Sequence, residues 1–434
     1  MTNLDSIVSL CKRRGFIFPG SDVYGGFAGT WDFGPLGVML KKNIIDTWWN
    51  YWVEKRDDIY GVDADIIMNP RTWLASGHTA TFADPLVECK ACHGRFRADK
   101  LASGLNEHVT NDEFSRLNIK CPTCGSNAWG DIRMFNMMFK THVGPVDGDE
   151  SLAYLRPETA QGIFVNYKNI IDSCYPDIPF GIAQQGKAFR NEISPRDFIL
   201  RDRECNQMEI EYFVHPDIWE TEFEQLLKET DIFLEKEMGL PVEKINHIEV
   251  AAEDRAHYSK RTVDFMFNYP NGEEELMGLA YRTDFDLKNI ERESGKSMAY
   301  RDKVTGETFV PHVIEPSIGV ERLFLAVLSN SWDEEKGILR LPDNLAPYKF
   351  CVSPLLKNKP ELVDKAREVY KLLKDKYTFV TWDDSGNIGK RYKKQDEIGT
   401  PKCVVIDFDT LEDGTVTVRN RDTSEQIRIK PEEL

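Results

Sequence analysis

The spacing of apolar residues changes along the chain, and each spacing predicts a different element. Between residues 36 and 55 the large apolar side chains recur at every fourth position, which places them on one face of a helix. They are Leu36, Leu40, Ile44, Trp48 and Trp52. Residues 217–238 also have a helical pattern, whereas MEIEYFV, residues 208–214, alternates as a strand of an antiparallel sheet does. We therefore predict a domain that combines helices with antiparallel strands.

A stretch with two prolines, LPDNLAP at residues 341–347, separates this region from the rest of the chain. The segments KFCVSPL, ELVDKAREVYKLLKDK and YTFVTWD then predict a strand, a helix and a strand, and KCVVIDF and TVTVRN predict two more strands. This order is typical of an α/β domain. The sequence thus predicts two domains, residues 1–341 and 342–434.

The composition indicates a soluble globular protein. Of its 434 residues 41% are hydrophobic and 29% are charged, and no apolar run approaches the roughly 20 residues that span a bilayer. The N-terminus lacks the apolar region of a signal peptide, and nine cysteines in such a chain do not indicate a disulfide framework. We expect a cytoplasmic protein without membrane contact. The net charge of −17 argues against a non-specific nucleic-acid coat, but a local basic face suffices for a specific enzyme.

Two cysteine pairs, CKAC at residues 89–92 and CPTCG at residues 121–125, have the spacing of zinc knuckles. Each pair can aim two thiolates at one tetrahedral ion, which predicts a structural zinc site in an insertion of residues 86–134. The predicted ligands are Cys89, Cys92, Cys121 and Cys124. Four ordinary reduced cysteines, or a redox role, are the alternatives, and His93 or His108 could replace one thiolate.

The stretch FRNEISPRDFILRDRECNQMEIEYF, residues 189–213, carries basic and acidic side chains at close intervals. Arginine binds phosphate through paired, charge-assisted hydrogen bonds. Two strands joined by a polar loop could bring Arg190, Glu192 and Arg201 into one pocket. One face of the return strand would carry Gln207, Glu209 and Glu211. Such a pocket suits a nucleoside triphosphate beside an amino acid, and a solvated hairpin with surface ion pairs is the alternative.

Further segments complete an ordered set of motifs. A predicted helix follows DFGPLG, FRNE precedes RDRECNQME, and EPSIGVERLFLAVL lies at residues 315–328. Around them are YGGFAGTWDFGPLG, ASGH, FRAD, LRPETAQGIF, FRNEISPR and KKQDEIGTP. The first set is similar to the three motifs of class II aminoacyl-tRNA synthetases, and the second to marks of the dimeric glycyl-tRNA synthetases. The chain resembles this family over nearly its whole length.

The resemblance implies a fold and an activity. The fold would be an α+β catalytic domain, whose central antiparallel sheet is flanked by helices, with a small zinc-knuckle insertion and a C-terminal α/β anticodon-binding domain. The activity would be the ATP-dependent attachment of glycine to tRNA-Gly through a glycyl-adenylate, with Mg²⁺ and in a homodimer. The apolar stripe of the helix at 36–55 would form the two-fold interface, or else pack inside its own subunit.

On the nucleotide side, the resemblance implies that Arg190 holds the α-phosphate and that Glu192 contacts the adenine amino group. Arg201 would contact the phosphates, and Arg322 would cover the far side of the nucleotide. The expected nucleotide-binding residues are Arg190, Asn191, Glu192, Leu200, Arg201, Arg203, Glu275, Leu276 and Arg322. The candidate magnesium ligands are Glu275 and Glu315.

Glycine has no side chain to grip, so the resemblance implies recognition by exclusion of larger amino acids. Glu158 and Glu209 would bind the ammonium group, and Arg282 or Arg97 the carboxylate. Ser317 would fill the space that a methyl group needs. The expected glycine-binding residues are Arg97, Glu158, Gln207, Glu209, Arg282, Glu315, Ser317 and Gly319. Glu158 lies in the sequence Pro-Glu-Thr at residues 157–159, and the alternative role for its carboxylate is to cap the N-terminus of a helix.

One position departs from the family. Where its members have an aromatic residue, in REF, this chain has Cys205, in REC. The aromatic ring would stack on adenine, and cysteine offers no comparable face. The sequence leaves open what stacks on the base, and Phe189 or Phe198 could supply the ring instead.

A basic cluster surrounds a tyrosine in the C-terminal domain. Lysines attract phosphates, and an aromatic ring can stack on a splayed base of single-stranded RNA. The expected anticodon-side residues are Lys390, Arg391, Tyr392, Lys393, Lys394 and Lys402. An ordinary basic surface is the alternative.

Two other functions fit parts of the pattern. A class II synthetase for another small amino acid, such as serine, threonine or proline, would share the nucleotide-binding motifs. A catalytically silent relative that binds nucleic acid through the cysteine knuckles and the C-terminal domain is less consistent with the sequence, because Arg190, Glu192 and Arg322 are all present.

Overall fold

The computed structural model describes residues 3–102, 104–106, 108–145, 148–195 and 197–434. Its helices are α1 Leu4–Arg14, α2 Pro35–Trp49, α3 Pro70–Ala75, α4 His78–Thr81, α5 Asn111–Arg116, α6 Ala160–Phe164, α7 Tyr167–Cys174, α8 Trp219–Ile232, α9 Phe285–Ser294, α10 Val320–Ser331, α11 Pro360–Lys376, α12 Ile388–Ile398 and α13 Phe408–Asp413. Its strands are β1 Ile17–Pro19, β2 Trp31–Phe33, β3 Ile59–Gly61, β4 Ala83–Glu88, β5 Arg95–Arg97, β6 Arg133–Asn136, β7 Lys140–His142, β8 Leu152–Tyr154, β9 Phe180–Phe189, β10 Glu204–Val214, β11 Ile245–Glu249, β12 Arg261–Tyr269, β13 Gly272–Thr283, β14 Tyr300–Arg301, β15 Thr308–Phe309, β16 His312–Gly319, β17 Trp332–Asp333, β18 Ile338–Leu339, β19 Phe350–Pro354, β20 Val380–Trp382, β21 Lys402–Ile406, β22 Val416–Asn420 and β23 Gln426–Ile429. Across the described ranges, no helix combines the length and the apolar character that crossing a membrane requires.

A seven-stranded sheet forms the centre of the first domain, in the order β11-β12-β13-β16-β10-β9-β3. Neighbouring strands run antiparallel from β11 to β9, and β3 is parallel to β9 at the edge. The expected antiparallel sheet is therefore present, with one parallel strand added. Its strand at 208–214 is confirmed as part of β10.

The alternation along β10 separates an apolar face of the sheet from a polar one. Met208, Ile210 and Tyr212 are buried in the main hydrophobic core. Gln207 and Glu209 point to the opposite face, because successive side chains of a strand alternate. The helices α2, α8 and α10 contribute to the same core, so the polar face is left available for a functional site.

The apolar stripe of the first long helix is buried within its own chain. The helix predicted at 36–55 is confirmed, as α2 followed by a π-helical turn at Asn50–Glu54. Leu40 and Ile44 are fully buried, and Trp48 and Trp52 are nearly so, in the core that also contains α10. The idea that this stripe forms a two-fold interface is wrong, because its own subunit already covers it. The alternative of packing inside the subunit holds.

The predicted linker is fixed in place. Leu341 and Leu345 are buried, and the side-chain amide of Asn43 on α2 donates hydrogen bonds to the carbonyls of Leu345 and Ala346, both at 3.0 Å. On the other side of the linker, the Arg421 guanidinium donates to the Leu341 carbonyl at 2.9 Å. The segment with two prolines, residues 341–347, is therefore held by hydrogen bonds from both domains.

The C-terminal domain is a five-stranded mixed sheet in the order β20-β19-β21-β22-β23. The predicted strands and the predicted helix are confirmed as β19, α11, β20, β21 and β22. The helix α12 was not predicted, because its KKQDEI segment has little apolar periodicity. The core of this domain consists mainly of aliphatic side chains of α11 and of the strands.

The insertion has a small core of its own. Its strands β4, β5 and β6 form a three-stranded sheet. Val87, Ala98, Val109 and Phe114 are buried together, and Trp129 packs edge-on against Phe114. Such a core is too small to fold alone without further cross-links.

We predict that Ile44→Ala lowers the free energy of unfolding of the first domain by about 2–5 kcal/mol, since it leaves a cavity beside a fully buried side chain. Val38→Ala on the same helix is the matched control. Its side chain is 53% exposed, so its effect should stay within about 0.5 kcal/mol. Urea unfolding of both variants measures the difference, and equal losses would contradict the burial.

Candidate active site

The polar face of the central sheet forms the floor of a cavity of about 440 Å³. Here β10, β16 and β13 lie side by side, so that Glu209 is paired with Ser317. Ser317 is paired in turn with Gly278, and Glu315 with Ala280. The predicted residues that line the cavity are Arg97, Glu158, Arg190, Glu192, Leu200, Arg201, Gln207, Glu209, Glu275, Leu276, Glu315, Ser317, Gly319 and Arg322. Residues far apart in sequence thus meet at one place.

Arg190 is oriented by the backbone around it. It follows the last residue of β9, and its own N–H donates to the carbonyl of Arg203 at 3.0 Å. Its guanidinium Nε donates to the Pro157 carbonyl at 3.1 Å and lies 5.6 Å from the centre of the Phe82 ring. A guanidinium held by one carbonyl and an aromatic ring keeps its positive charge available to an anion in the cavity.

A second guanidinium enters the cavity from the first turn of α10. Arg322 donates from one nitrogen to the backbone carbonyl of Glu275 at 2.7 Å and lies 3.0 Å from its carboxylate. This positive charge holds the pKa of Glu275 below its ordinary value. Glu192, the expected partner of adenine, is largely buried with one carboxylate oxygen that makes no hydrogen bond within the described residues.

Three predicted residues do not line the cavity. The backbone N–H of Asn191 donates a hydrogen bond to the Met137 carbonyl at 2.8 Å. Arg203 donates to the carbonyls of Ala28 and Glu192, so it supports the loop. The Arg203 side chain therefore has a supporting position, because its guanidinium bonds to backbone carbonyls, whereas Asn191 is held through its own backbone.

Arg282 is the third, and it is buried beside the cavity, where it bonds the lining residue Glu315. Its side chain is 1% exposed, and its guanidinium bonds both oxygens of Asp286, at 2.8 and 3.0 Å. Another of its nitrogens donates to both oxygens of Glu315 at 3.0 Å. Tyr258 covers it, with the ring centre 3.7 Å from the guanidinium carbon. Within the structure its guanidinium thus contacts buried acids, and the expected contact with a substrate carboxylate stays a prediction.

Buried carboxylates cluster at one end of the floor. One oxygen from each of Glu209, Glu211 and Glu315 lies within 4.8 Å of the others. Glu209 accepts a hydrogen bond from the Thr159 hydroxyl, whereas Glu211 is fully buried and neither of its oxygens has a partner among the described residues. Burial raises the pKa of both Glu211 and Glu315 well above its ordinary value. This end of the cavity favours a cation.

Several lining residues were missed by the sequence analysis. Asp254, Arg255 and Tyr258 come from the loop between β11 and β12, which carries no recognisable motif. Glu321 directly precedes Arg322 in the GVER motif, and this position in the sequence could have identified it as a residue of the cavity lining. Its carboxylate accepts from the backbone and side-chain nitrogens of Asn206, at 2.8 and 2.7 Å.

Cys205 does line the cavity, and burial raises the pKa of its thiol to about 12. Neither proposed replacement ring does so. Phe198 packs edge-on against Trp31, with 4.8 Å between ring centres, away from the cavity. The one aromatic side chain in the described lining is Tyr258.

The four predicted cysteines converge within the insertion. The sulfur of Cys89 lies 3.7 Å from that of Cys124, and the sulfur of Cys92 lies 3.7 Å from that of Cys121. A tetrahedral ion with zinc–sulfur bonds of about 2.3 Å requires sulfur separations of about 3.8 Å. The arrangement therefore fits zinc. His93 points to Glu88 at 3.3 Å instead, and the described cluster contains four thiols and no histidine.

The C-terminal basic cluster divides into surface and buried parts. The side chain of Arg391 is buried and donates to the carbonyls of Pro354, Asp384, Ser385 and Gly386. It therefore holds the loop before α12 and is not placed to contact RNA. Tyr392 is half-buried beside the Arg419 guanidinium. The exposed members are Lys390, Lys393, Lys394 and Lys402.

Comparison with known proteins agrees with this arrangement. Residues 139–331 match the tRNA synthetase class II core domain (G, H, P, S and T), and residues 349–434 match the anticodon binding domain. A structure of Giardia lamblia prolyl-tRNA synthetase in complex with prolyl-adenylate superposes with a TM-score of 0.69 at 17% identity, covering 99% of this chain and 75% of that one. The fold is that of a class II aminoacyl-tRNA synthetase.

Curated relatives define the family within that class. The chain is 47% identical to the glycine–tRNA ligase of Malacoplasma penetrans, over 99% of its own length and 96% of the relative. Identity to the glycine–tRNA ligases of Alkaliphilus oremlandii and Clostridium tetani is 46% and 47%, with the same coverage. The chain belongs to the glycine–tRNA ligase family.

We predict that Glu211→Gln makes stability less dependent on pH. The folded-state pKa of Glu211 is raised, so its protonation contributes to the free energy of unfolding. This contribution is fully present below the pKa of an unfolded glutamate, about 4.3. It is lost as the pH rises through the folded-state pKa. The melting temperature of the variant should therefore fall less than that of the parent between about pH 5 and pH 8. Glu274→Gln, at an exposed glutamate, should follow the parent, and a Glu211→Gln curve that does so too would contradict the assignment.

Proposed function

We propose that this chain attaches glycine to tRNA-Gly, using ATP and a glycyl-adenylate intermediate. The observation that carries the proposal is the polarity of one cavity. Arg190 and Arg322 lie near its Cys205 end, and buried carboxylates lie near Glu209. Four residues along a strand correspond to about 13 Å, which suits a nucleotide at one end and a small ammonium compound at the other. The names of the relatives agree with this chemistry.

At the nucleotide end, Arg190 would bind the α-phosphate of ATP, and Arg201 the remaining phosphates. Arg322 would cover the base from the first turn of α10. Glu192 would accept from the adenine amino group, which supplies the partner that its buried oxygen lacks. In place of an aromatic sandwich, the base would rest on Cys205 and on apolar lining such as Met277.

At the other end, Glu158 and Glu209 would bind the ammonium group of glycine. Both side chains are buried and line the cavity. Gln207, Ser317 and Gly319 lie on the adjoining strand positions and would leave no room for a larger side chain. Arg97, which lines the cavity while paired with Asp84 at 2.7 Å, would face the carboxylate. Selectivity then follows from exclusion.

The chemistry itself needs little more than position and charge. A carboxylate oxygen of glycine attacks the α-phosphorus of ATP, and pyrophosphate leaves. Arg190 stabilises the negative charge that grows on the phosphate oxygens, while the carboxylates hold the ammonium so that the attacking oxygen is in line. A hydroxyl of the terminal adenosine of the tRNA then takes the glycyl group, and AMP leaves.

Magnesium fits the nucleotide end of the cavity. Magnesium prefers carboxylate and phosphate oxygens, and the half-exposed carboxylate of Glu275 lies in the lining. We assign Glu275 as its protein ligand, where the ion would neutralise charge on the phosphates. Glu315, the other candidate, is buried with both oxygens bonded to Arg282 and lies beside Glu209, so it fits the ammonium better.

Three further assignments complete the proposal. The four thiols of the insertion would bind a structural zinc ion. The exposed lysines Lys390, Lys393, Lys394 and Lys402 would face the phosphates of the anticodon stem. The protein would act in the cytoplasm as a homodimer, although its interface must use surface other than the buried α2 stripe.

Amino-acid-dependent exchange of pyrophosphate into ATP tests the proposal directly. Glycine alone should support exchange, because in the proposed site Ser317 and its neighbours would leave no space for a side chain. Exchange with serine, threonine or proline in place of glycine would favour a synthetase for another small amino acid. Absence of exchange with every amino acid would favour the silent nucleic-acid-binding relative.

We predict that Arg190→Ala reduces glycine-dependent pyrophosphate exchange by about a hundredfold or more. A positioned guanidinium on the reacting phosphate contributes several kcal/mol to transition-state stabilisation. Arg301→Ala, at an exposed arginine of β14 outside the cavity, is the control and should keep parental activity. Arg190→Ala activity within a few-fold of the parent would rule out the assigned role.

We predict one zinc ion per chain in purified protein. Cys121→Ser should lose most of the metal, because a structural site needs all four ligands. Cys174→Ser removes an exposed thiol outside the cluster and should retain the metal. Elemental analysis of the three proteins checks this, and a parental protein without zinc would refute the site.

A further inference from the structure

The ASGH motif, residues 75–78, has no role in the function proposed above, yet it lies against a glycine-binding residue. Gly77 adopts a φ of +85°, a conformation that other residues rarely adopt, and this turns the chain between α3 and α4. The turn places His78 inside the protein, where only 4% of it is exposed. Asn136 fixes the turn by donating to the His78 carbonyl at 3.1 Å.

Both ring nitrogens of His78 have a partner. Nδ1 lies 2.8 Å from the Ser76 hydroxyl, and Nε2 lies 3.3 Å from the carboxylate of Glu158. The rings of Trp73 and Phe82 flank the imidazole, with centres 5.5 and 5.4 Å away. The imidazole is therefore fixed in orientation by packing as well as by hydrogen bonds.

This arrangement makes Nε2 a donor in either protonation state of the ring. If the imidazole is neutral, the Glu158 carboxylate facing Nε2 favours the tautomer with the proton on that nitrogen, and the Ser76 hydroxyl can donate to Nδ1. If the imidazole is charged, Nδ1 donates to the Ser76 oxygen, and the hydroxyl proton can turn to the Trp73 carbonyl, 3.4 Å away. Glu158 receives a hydrogen bond in both cases.

Glu158 depends on such a donor. It is buried, which by itself raises the pKa of its carboxyl, but the charge and hydrogen bond of His78, together with Arg282 and Arg190, bring that pKa below its ordinary value. Its other oxygen lies 3.4 Å from the Gln161 amide, a long contact. Without His78, a buried carboxyl would tend to hold a proton and could not attract a cation.

We propose that His78 is a positioning residue for glycine: through its hydrogen bond it keeps Glu158 charged and turned toward the ammonium group, and Ser76 orients its ring. The inference rests on the proposed role of Glu158. It assigns to ASGH a part in substrate selectivity, because a fixed carboxylate defines where the α-carbon of the substrate must lie.

Pyrophosphate exchange tests the inference through the glycine and ATP Michaelis constants of four variants. His78→Phe keeps the ring volume and removes the donor, so the KM for glycine should rise about 10- to 100-fold, the range for a lost hydrogen bond to a charged group. The KM for ATP should change less than about twofold. His78→Gln, which can still donate, should recover most of the affinity. The other two variants are Glu158→Gln and the double variant that combines His78→Phe with Glu158→Gln, and their Michaelis constants for glycine are compared with each other.

The double variant separates action through Glu158 from general damage. If His78 acts through Glu158, then His78→Phe combined with Glu158→Gln should lose no more affinity than Glu158→Gln alone. The inference would be overturned if the affinity losses of the two single variants multiplied in the double variant. It would also be overturned if His78→Phe raised the KM for glycine and the KM for ATP equally. If Glu158→Gln raises the KM for glycine while His78→Phe does not, the inference alone fails. If Glu158→Gln has no effect, the assigned glycine contact fails as well. Unaltered melting temperatures show that each variant is folded.

Discussion

The buried guanidinium of Arg282 is the interaction on which the site depends. It ties β13 to α9 through Asp286 and to β16 through Glu315, in a region almost without water contact. Charges are costly to bury unless they are paired with good geometry. Here the pair with Asp286 is bidentate, and a third nitrogen bonds both oxygens of Glu315. A cluster of acids can lie under the cavity because this cation offsets part of their charge. The negative charge that Arg282 does not offset would attract the ammonium group of a substrate.

The second constraint is the register of the central sheet. The residues that line the cavity and the residues that fill the core alternate along the same strands, so a shift by one position would exchange them. Glu209 opposite Ser317 and Met208 opposite Ile318 show both faces of one pairing. A site built on strands in this way inherits their rigidity, which suits a reaction driven mainly by position and charge.

Local patterns allowed the prediction of much of this molecule, and contacts over long distances did not. The alternation at 208–214 and the stripe at 36–55 identified strand and helix correctly, because side-chain periodicity is a local property. The same stripe could not decide between a two-fold interface and packing inside the subunit, since an apolar face does not say which surface covers it. Arg391 and Arg282 were predicted as binding groups, and the sequence did not show that both side chains are buried against groups of their own chain. Tyr258 had no signal, because its loop owes its place in the cavity to the flanking strands.

The bound linker has a mechanical meaning. A single amide on α2 holds two successive carbonyls of the segment between the domains, and Arg421 holds it from the other side. These hydrogen bonds restrict the motion of the linker, and so they limit how far the distance between the cavity and the surface of the C-terminal domain can vary. A long, stiff nucleic acid that touches both ends would have little domain motion to arrest, so little conformational entropy is lost on binding. A flexible linker would let that distance vary over a wider range.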